Sequence, residues 1–169
     1  QTVRFPLYSP TSSLERRQTT GLPDWQSEIC KRIPYLENSE ERLEEEAFAQ
    51  IIEQVIEWNQ EILAGRTEAL LFIYQEPIAS LVQNGQAELL LDLLVLWQRE
   101  LLHCINGSLG EDKTLFFPWR KAINKQAYLI DINGLLSAME VVMQTRHNLR
   151  KPMQDQAILE QMVLAMQEG

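Results

Sequence analysis

The most apolar stretch of the chain lies at residues 89–102 and has the sequence LLLDLLVLWQRELL, where Asp92 is the one interruption between residues 89 and 97. A helix built from these residues is apolar on nearly all of its faces. Such a helix is usually buried in the middle of a bundle or in a contact with other subunits. The stretch is too short to cross a bilayer, which takes about 20 residues. It therefore predicts the central helix of an all-α fold, over about residues 86–104.

Apolar residues at helical spacing predict five further helices around this central one. They run over about residues 38–64, 67–82, 118–129, 134–150 and 152–169. Pro77 is expected to kink or break the helix in which it lies, because proline lacks the N–H and clashes with the preceding turn. Gly65 and Gly85 are expected to end the helices before them. The predicted fold is a bundle of about five to six helices.

The helix over residues 134–150 is predicted to bury one apolar face. Its inner residues are Leu135, Leu136, Met139, Val142, Met143 and Leu149. In the central helix, the charged residues Arg99 and Glu100 follow the apolar run. These two are expected either to form an ion pair with neighbours or to mark the point where the helix leaves the core.

The first forty residues differ from the rest of the chain. Val3 and Phe5 alternate with polar residues, which predicts a short extended segment or strand at the N-terminus. Residues 9–21 are rich in Ser, Thr, Arg and Gln and are interpreted as a linker. Residues 23–34 are long enough for one short helix.

Composition and charge exclude several classes of protein. The chain has 169 residues, of which 45% are hydrophobic and only seven are glycine, so it is neither a disordered chain nor a collagen-like repeat. Its net charge of −9 argues against a free-standing nucleic-acid binder, although not against a chain that works inside an assembly on DNA. Residues 37–61 hold nine Glu and one Arg, whereas residues 113–151 hold seven basic and two acidic residues. These two regions are either solvated faces or poles that orient the chain against neighbours.

The sequence offers no recognisable catalytic or cofactor-binding motif. It has neither a phosphate-binding loop nor a dinucleotide fingerprint, and its only histidines are His103 and His147. The two cysteines are interpreted as reduced thiols of a cytosolic protein. Glu53 and Glu57 stand one helical turn apart, and paired carboxylates can bind metals, although a solvated acidic face is the simpler interpretation. We therefore predict no catalytic, cofactor-binding or metal-binding residue, and no enzymatic activity for the chain by itself.

Two parts of the sequence resemble the delta-prime subunits of bacterial DNA polymerase III, which belong to the clamp loader. Residues 89–102 are similar to a Leu-rich helix that ends in Trp-x-Arg-Asp-Leu-Leu in that family, with Glu100 in place of the usual Asp. Residues 139–149 and 157–164 are similar to the closing helices of the family. The family's Asn-x-Asn between those helices is replaced here by the residues at 151–154.

A shorter resemblance concerns the start of the chain. Residues 1–10 are similar to the segment that follows the Ser-Arg-Cys motif at the end of the nucleotide-binding module in clamp-loader subunits. The resemblance implies that residues 1–10 are the end of an ATPase-like module that is missing from this sequence. It also implies that residues 11–38 are a linker or a reduced lid, and that residues 39–169 form an α-helical collar domain.

The resemblance implies a non-catalytic role in DNA replication, in the bacterial cytoplasm and away from the membrane. Collar domains of clamp loaders pack into a ring, and the implied partners are the delta and gamma/tau subunits, with DNA reached only through the assembly. No cofactor is implied. The residues that match the family motifs, as candidate structural or interface positions, are Trp97, Arg99, Glu100, Arg146, Leu149 and Glu160.

Two hypotheses of other classes stay open at this point. One is a free-standing helical adaptor or regulatory protein that binds a protein partner, which the bundle of helices and the charge distribution would equally suit. The other is a helical-bundle metalloenzyme that uses the paired glutamates.

Overall fold

The structure is a computed structural model, and it describes residues 25–33, 45–108, 113–149 and 154–168. All regular secondary structure in these ranges is helical, which confirms the predicted all-α fold. The predicted extended segment at residues 1–10 lies outside the described residues. Part of the predicted linker or reduced lid is described, and it forms a short helix. Ile29 in this helix and Ile33 just after it are fully buried.

Seven α-helices and two 3-10 helices make up the described part of the chain. The α-helices are α1 (Trp25–Cys30), α2 (Glu45–Leu63), α3 (Ile78–Gln83), α4 (Ala87–Ile105), α5 (Arg120–Leu129), α6 (Ile132–Asn148) and α7 (Asp155–Glu168). The 3-10 helices are Thr67–Tyr74 and Phe117–Trp119. The single helix predicted over residues 67–82 is divided at Pro77, between the first 3-10 helix and α3. The expectation that Pro77 breaks the helix is thereby confirmed, and the break adds an element to the predicted five to six.

The central helix of the bundle is α4, as the sequence predicts. It packs against α2, α3, α5 and α6, so that neighbours cover most of its circumference. Leu90, Leu94 and Trp97 are completely buried on it. Three polar residues on the same helix, Asp92, Gln98 and Glu100, are also buried. An apolar helix of this kind supplies the common surface on which the other helices assemble.

The predicted inner face of α6 is wrong at two positions. Leu136 is 45% exposed and Met143 is 61% exposed. The buried side chains of α6 form one narrow stripe, which includes Leu135 and Val142. Leu136 and Met143 directly follow these two residues, so they lie about 100° further round the helix. Because α6 packs between α4 and α7, that neighbouring stripe meets no covering helix among the described residues.

Glycines end α2 and α3 in the same way, which confirms the two predicted helix ends. Gly65 and Gly85 have φ angles of +71° and +76°. At the end of α3, the Gly85 N–H donates to the Val82 carbonyl at 3.2 Å and the Gln86 N–H donates to the Leu81 carbonyl at 2.8 Å. This pair of hydrogen bonds is the Schellman motif, which satisfies the last carbonyls of the helix and requires a left-handed residue.

We expect Gly85→Ala to lower the free energy of unfolding by about 1 kcal/mol, because an L side chain is strained at positive φ. Apart from Gly85 itself and its two chain neighbours, no residue has a heavy atom within 4 Å of the new Cβ, so the cost comes from the backbone alone. Urea denaturation measures the change. Gly134→Ala, in the first turn of α6 and without a positive φ, is the matched control and is expected to be neutral or stabilising. Equal losses for the two variants would contradict this account.

Candidate interaction site

The structure places the six motif residues in different surroundings. Trp97 and Glu100 are buried on α4, whereas Arg99 of the same helix is exposed. Arg146 lies near the end of α6 and contacts α4, so it approaches Arg99 at one groove on the surface. Glu160 on α7 and Leu149 after α6 do not line that groove.

Trp97 belongs to a buried hydrogen-bonded network that joins three helices. Its indole Nε1 donates to the Gln126 Oε1 of α5 at 2.9 Å, and the Asn59 Nδ2 of α2 donates to the same oxygen at 3.1 Å. The Gln126 Nε2 donates to the Ile56 carbonyl at 3.0 Å, and the Gln98 Nε2 donates to the Asn59 Oδ1 at 2.9 Å. A buried network of this kind fixes the relative positions of α2, α4 and α5. Trp97 is therefore a structural residue of the bundle.

The buried carboxylate of Glu100 holds the segment that leads into α5. Its Oε1 accepts a hydrogen bond from the Thr114 Oγ1 at 2.8 Å and another from the Leu115 N–H at 2.7 Å. The Thr114 Oγ1 in turn accepts the Phe116 N–H at 3.1 Å. Neither alternative from the sequence describes Glu100, since it is buried at the end of α4 and forms hydrogen bonds with a loop instead of an ion pair. Only Arg99 marks where the helix reaches solvent.

We expect Glu100→Ala to lower the free energy of unfolding by about 2 kcal/mol, because it leaves a backbone N–H and a hydroxyl without their acceptor. Glu100→Gln keeps one acceptor oxygen and is expected to cost less. The matched control is Arg99→Ala at the neighbouring exposed position, with an effect within about 0.5 kcal/mol. Urea unfolding of the three variants separates these outcomes. A loss for Glu100→Ala no larger than that of the control would show that the contact adds nothing to stability.

Arg146 pairs with the one residue that interrupts the apolar run of α4. Its Nε donates to the Asp92 Oδ1 at 2.5 Å, and its Nη2 donates to the Glu88 Oε1 at 2.6 Å. Asp92 is 7% exposed, so its charge is compensated mainly inside the protein. The hydrogen bond with Asp92 raises the pKa of the Arg146 guanidinium, while its partial burial lowers it. The pair joins the two parts of the chain that carry the family resemblance.

A groove of about 330 Å³ lies beside this ion pair, and we call it the α4–α6 groove. Val95 and Leu96 of α4 and Met143 of α6 give it apolar walls. Its volume is at the lower end of the range for ligand sites, about 300–1,000 Å³. The exposure of Met143, which the sequence did not predict, results from this opening between the two helices.

Three cationic or titratable side chains surround the same groove. Arg32 from the end of α1, Arg99 of α4 and His147 of α6 all line it, and all three are exposed. Among the described residues, no carboxylate forms an ion pair with Arg32 or Arg99. The groove is thus a basic site on a chain whose net charge is −9.

A second exposed apolar surface lies at the end of α5. Tyr128 is 90% exposed and Leu129 is 66% exposed. Leu129 lines another groove of about 330 Å³ together with Leu63 and Gly134, between the end of α2 and the start of α6. Neighbouring apolar side chains of this size are typical of protein contact sites.

Glu160 and Leu149 have local structural roles. The Tyr74 hydroxyl donates to the Glu160 carboxylate and accepts from the Gln156 Nε2, the latter at 2.7 Å. The hydrogen bond with Glu160 raises the pKa of Tyr74. These contacts attach α7 to the first 3-10 helix, while Leu149 packs partly buried against the core.

The part of the chain that the structure describes contains neither a cluster of metal ligands nor a membrane-spanning helix. No group of three or more His, Cys, Asp or Glu residues there could hold a metal ion. Glu100 and His103 have the Glu-x-x-His spacing of carboxylate metal sites. Glu100 is nevertheless engaged by the loop, and His103 lies beside Ser108 with 3.4 Å between Nδ1 and Oγ. None of the helices in the described ranges has both the length and the apolar composition needed to cross a membrane.

Sequence reasoning missed the residues that organise the interior. Asn59, Gln98 and Gln126 were not singled out, although each is buried and hydrogen-bonded. The available signal was position, since Asn59 directly follows Trp58 and Gln98 directly follows Trp97 in the sequence.

The chain was compared with family models, with curated proteins and with solved structures, and none of them matches it. The resemblance to delta-prime subunits therefore rests on the sequence motifs, and the site is interpreted from its own geometry.

Proposed function

We propose that the chain is a non-catalytic clamp-loader subunit of the delta-prime type, which binds the delta and gamma/tau subunits through its helical collar domain during sliding-clamp loading. The motif residues Trp97, Arg99 and Arg146 support the proposal from the sequence. The observation that carries it is the pair of exposed apolar side chains at the end of α5, Tyr128 and Leu129.

These side chains suit a contact between subunits. Aromatic residues and Met are enriched at protein interfaces, and apolar side chains that lie exposed together mark interaction sites more often than isolated ones do. Tyr128 offers nearly its whole ring for contact, since it is 90% exposed. The proposal assigns no catalytic step to this chain, and it assigns contact with DNA to the assembly. The implied location is the bacterial cytoplasm.

Complex formation with purified delta and gamma/tau subunits of the source organism tests the proposal. Size-exclusion chromatography with light scattering is expected to show co-elution of this chain with both. A variant that combines Tyr128→Ser and Leu129→Ser is expected to lose co-elution, whereas Leu71→Ser, at a 54% exposed position on the first 3-10 helix, is the control and keeps it. Circular dichroism verifies that both variants are folded.

Absence of co-elution with either subunit would overturn the clamp-loader role. The alternative would then be a free-standing helical adaptor that uses the same exposed residues for a different protein partner. Equal binding by the double variant and the wild type would place the contact elsewhere on the chain.

A further inference from the structure

The α4–α6 groove combines two kinds of contact that one ligand can satisfy. Arg32 and Arg99 offer exposed guanidinium groups, for which the described residues supply no carboxylate partner. Met143, 61% exposed, and Val95 offer apolar surface in the same groove. A ligand that fits both must carry negative charge together with an apolar group.

Charge gives the groove a preference for carboxylates. Arg146 is already engaged by Asp92 and Glu88, so the charge available to a ligand comes from Arg32 and Arg99, with His147 beside them. Guanidinium groups bind carboxylates in a bidentate manner, and such charge-assisted hydrogen bonds are about twice as strong as neutral ones. The site is therefore complementary in charge to an acidic segment of another protein.

A nucleic acid fits the same groove less well. A phosphate backbone could pair with the two arginines, but it carries no aliphatic group to pack against the apolar walls. An acidic peptide can instead direct carboxylates to the arginines and place an aliphatic side chain on Met143.

We propose that the α4–α6 groove is a docking site for a partner protein's acidic segment, which carries an apolar residue among its carboxylates. The carboxylates pair with Arg32 and Arg99, and the apolar side chain packs against Met143 and Val95. This inference shares one assumption with the proposed function, namely that the chain acts by binding other proteins.

Fluorescence anisotropy with a synthetic peptide tests the proposal. The probe is a labelled peptide with a central leucine and glutamates three and four residues to each side. Two further probes replace either the glutamates with glutamine or the leucine with serine. Wild-type protein is expected to bind the first probe, and its affinity for each of the other two is expected to be lower by at least about tenfold.

Arg99→Glu is expected to weaken binding of the first probe by about tenfold or more. The matched control is Lys121→Glu, which makes the same change of charge at an exposed position of α5 outside the groove and is expected to bind like the wild type. Both positions are exposed, and thermal unfolding verifies that both variants fold. Equal loss for the two variants would show a general charge effect and overturn the site.

Other occupants appear as distinct results. Preferential binding of a labelled single-stranded oligonucleotide, lost in Arg99→Glu, would overturn the peptide proposal in favour of a nucleic acid. Concentration-dependent dimerisation abolished by Arg99→Glu would instead identify a second copy of the chain as the occupant. If the clamp-loader subunits bind the wild type and Arg99→Glu equally well, and the peptide does not bind, the docking site in the groove is overturned and the proposed function is not. Peptide binding without any clamp-loader binding would overturn the proposed function alone.

Discussion

Trp97→Ala is expected to lower the free energy of unfolding by about 4 kcal/mol, the largest effect of any substitution considered for this chain. The Trp97 side chain is fully buried and stacks edge-on against Phe116, with ring centroids 5.1 Å apart. The variant loses this packing. It also loses the hydrogen bond from the Trp97 Nε1, which is one of the two hydrogen bonds that the Gln126 Oε1 accepts. Urea denaturation followed by far-ultraviolet circular dichroism measures the loss.

Trp97→Phe separates the two contributions. Phenylalanine keeps most of the aromatic packing on Phe116 but cannot donate to Gln126, so about 1–2 kcal/mol is expected to be lost. A cost for Trp97→Ala that is no greater than that for Trp97→Phe would contradict the packing account. Such a result would mean that the bundle closes over the space that the ring occupies.

Arg146→Met is expected to lower the free energy of unfolding by about 3 kcal/mol, because it leaves the Asp92 carboxylate buried without its main partner. The same principle predicts a different result for the double variant Asp92→Leu with Arg146→Met. Replacing both members of a buried ion pair with apolar residues of similar size is often neutral or stabilising. The double variant is therefore expected to recover most of the loss.

A double-mutant cycle measures the coupling between Asp92 and Arg146. Asp92→Leu alone completes the cycle. The coupling energy is the change in unfolding free energy of the double variant minus the sum of the changes in the two single variants. Additive single effects would show that the pair contributes no coupling, despite its short distances. Glu88 also forms an ion pair with Arg146, at 2.6 Å. Because the Glu88 side chain is 40% exposed, this second pair is expected to contribute less to stability, and Glu88→Gln serves as its control.

Stability and binding variants should be distinguishable in this chain. Trp97 matches the family motif but is held inside the bundle, so its substitution should impair partner binding only through loss of the fold. Arg99 matches the same motif but is exposed. Its substitution should alter binding without a matching loss of stability, which makes it the informative position of the motif.

The sequence predicted the helices best where one physical cause dominates. The central helix follows from its continuous apolar run, and the predicted residues 86–104 differ by one residue at each end from α4, Ala87–Ile105. Proline at position 77 interrupts the predicted helix, and glycine at positions 65 and 85 ends the helices before it. Both effects come from backbone chemistry and do not depend on tertiary contacts.

The parts that the sequence did not predict depend on which helices meet. Leu136 and Met143 are as apolar as the residues that α6 buries, and only the position of α4 and α7 leaves them exposed. Gln126 is buried because Asn59 and Trp97 reach it from two other helices. Asp92 was recognised as an interruption of the apolar run, but its partner Arg146 lies 54 residues away in the sequence.

The shared acceptor oxygen of Gln126 has a consequence for local opening of the bundle. If α5 detaches, Asn59 and Trp97 lose their acceptor at the same moment, and the Gln126 hydrogen bond to the Ile56 carbonyl of α2 breaks with them. Detachment of α5 alone therefore breaks three buried hydrogen bonds at once, which makes it costly. These three helices are expected to open as one cooperative unit, so that the surface on α5 keeps its shape until the bundle itself unfolds.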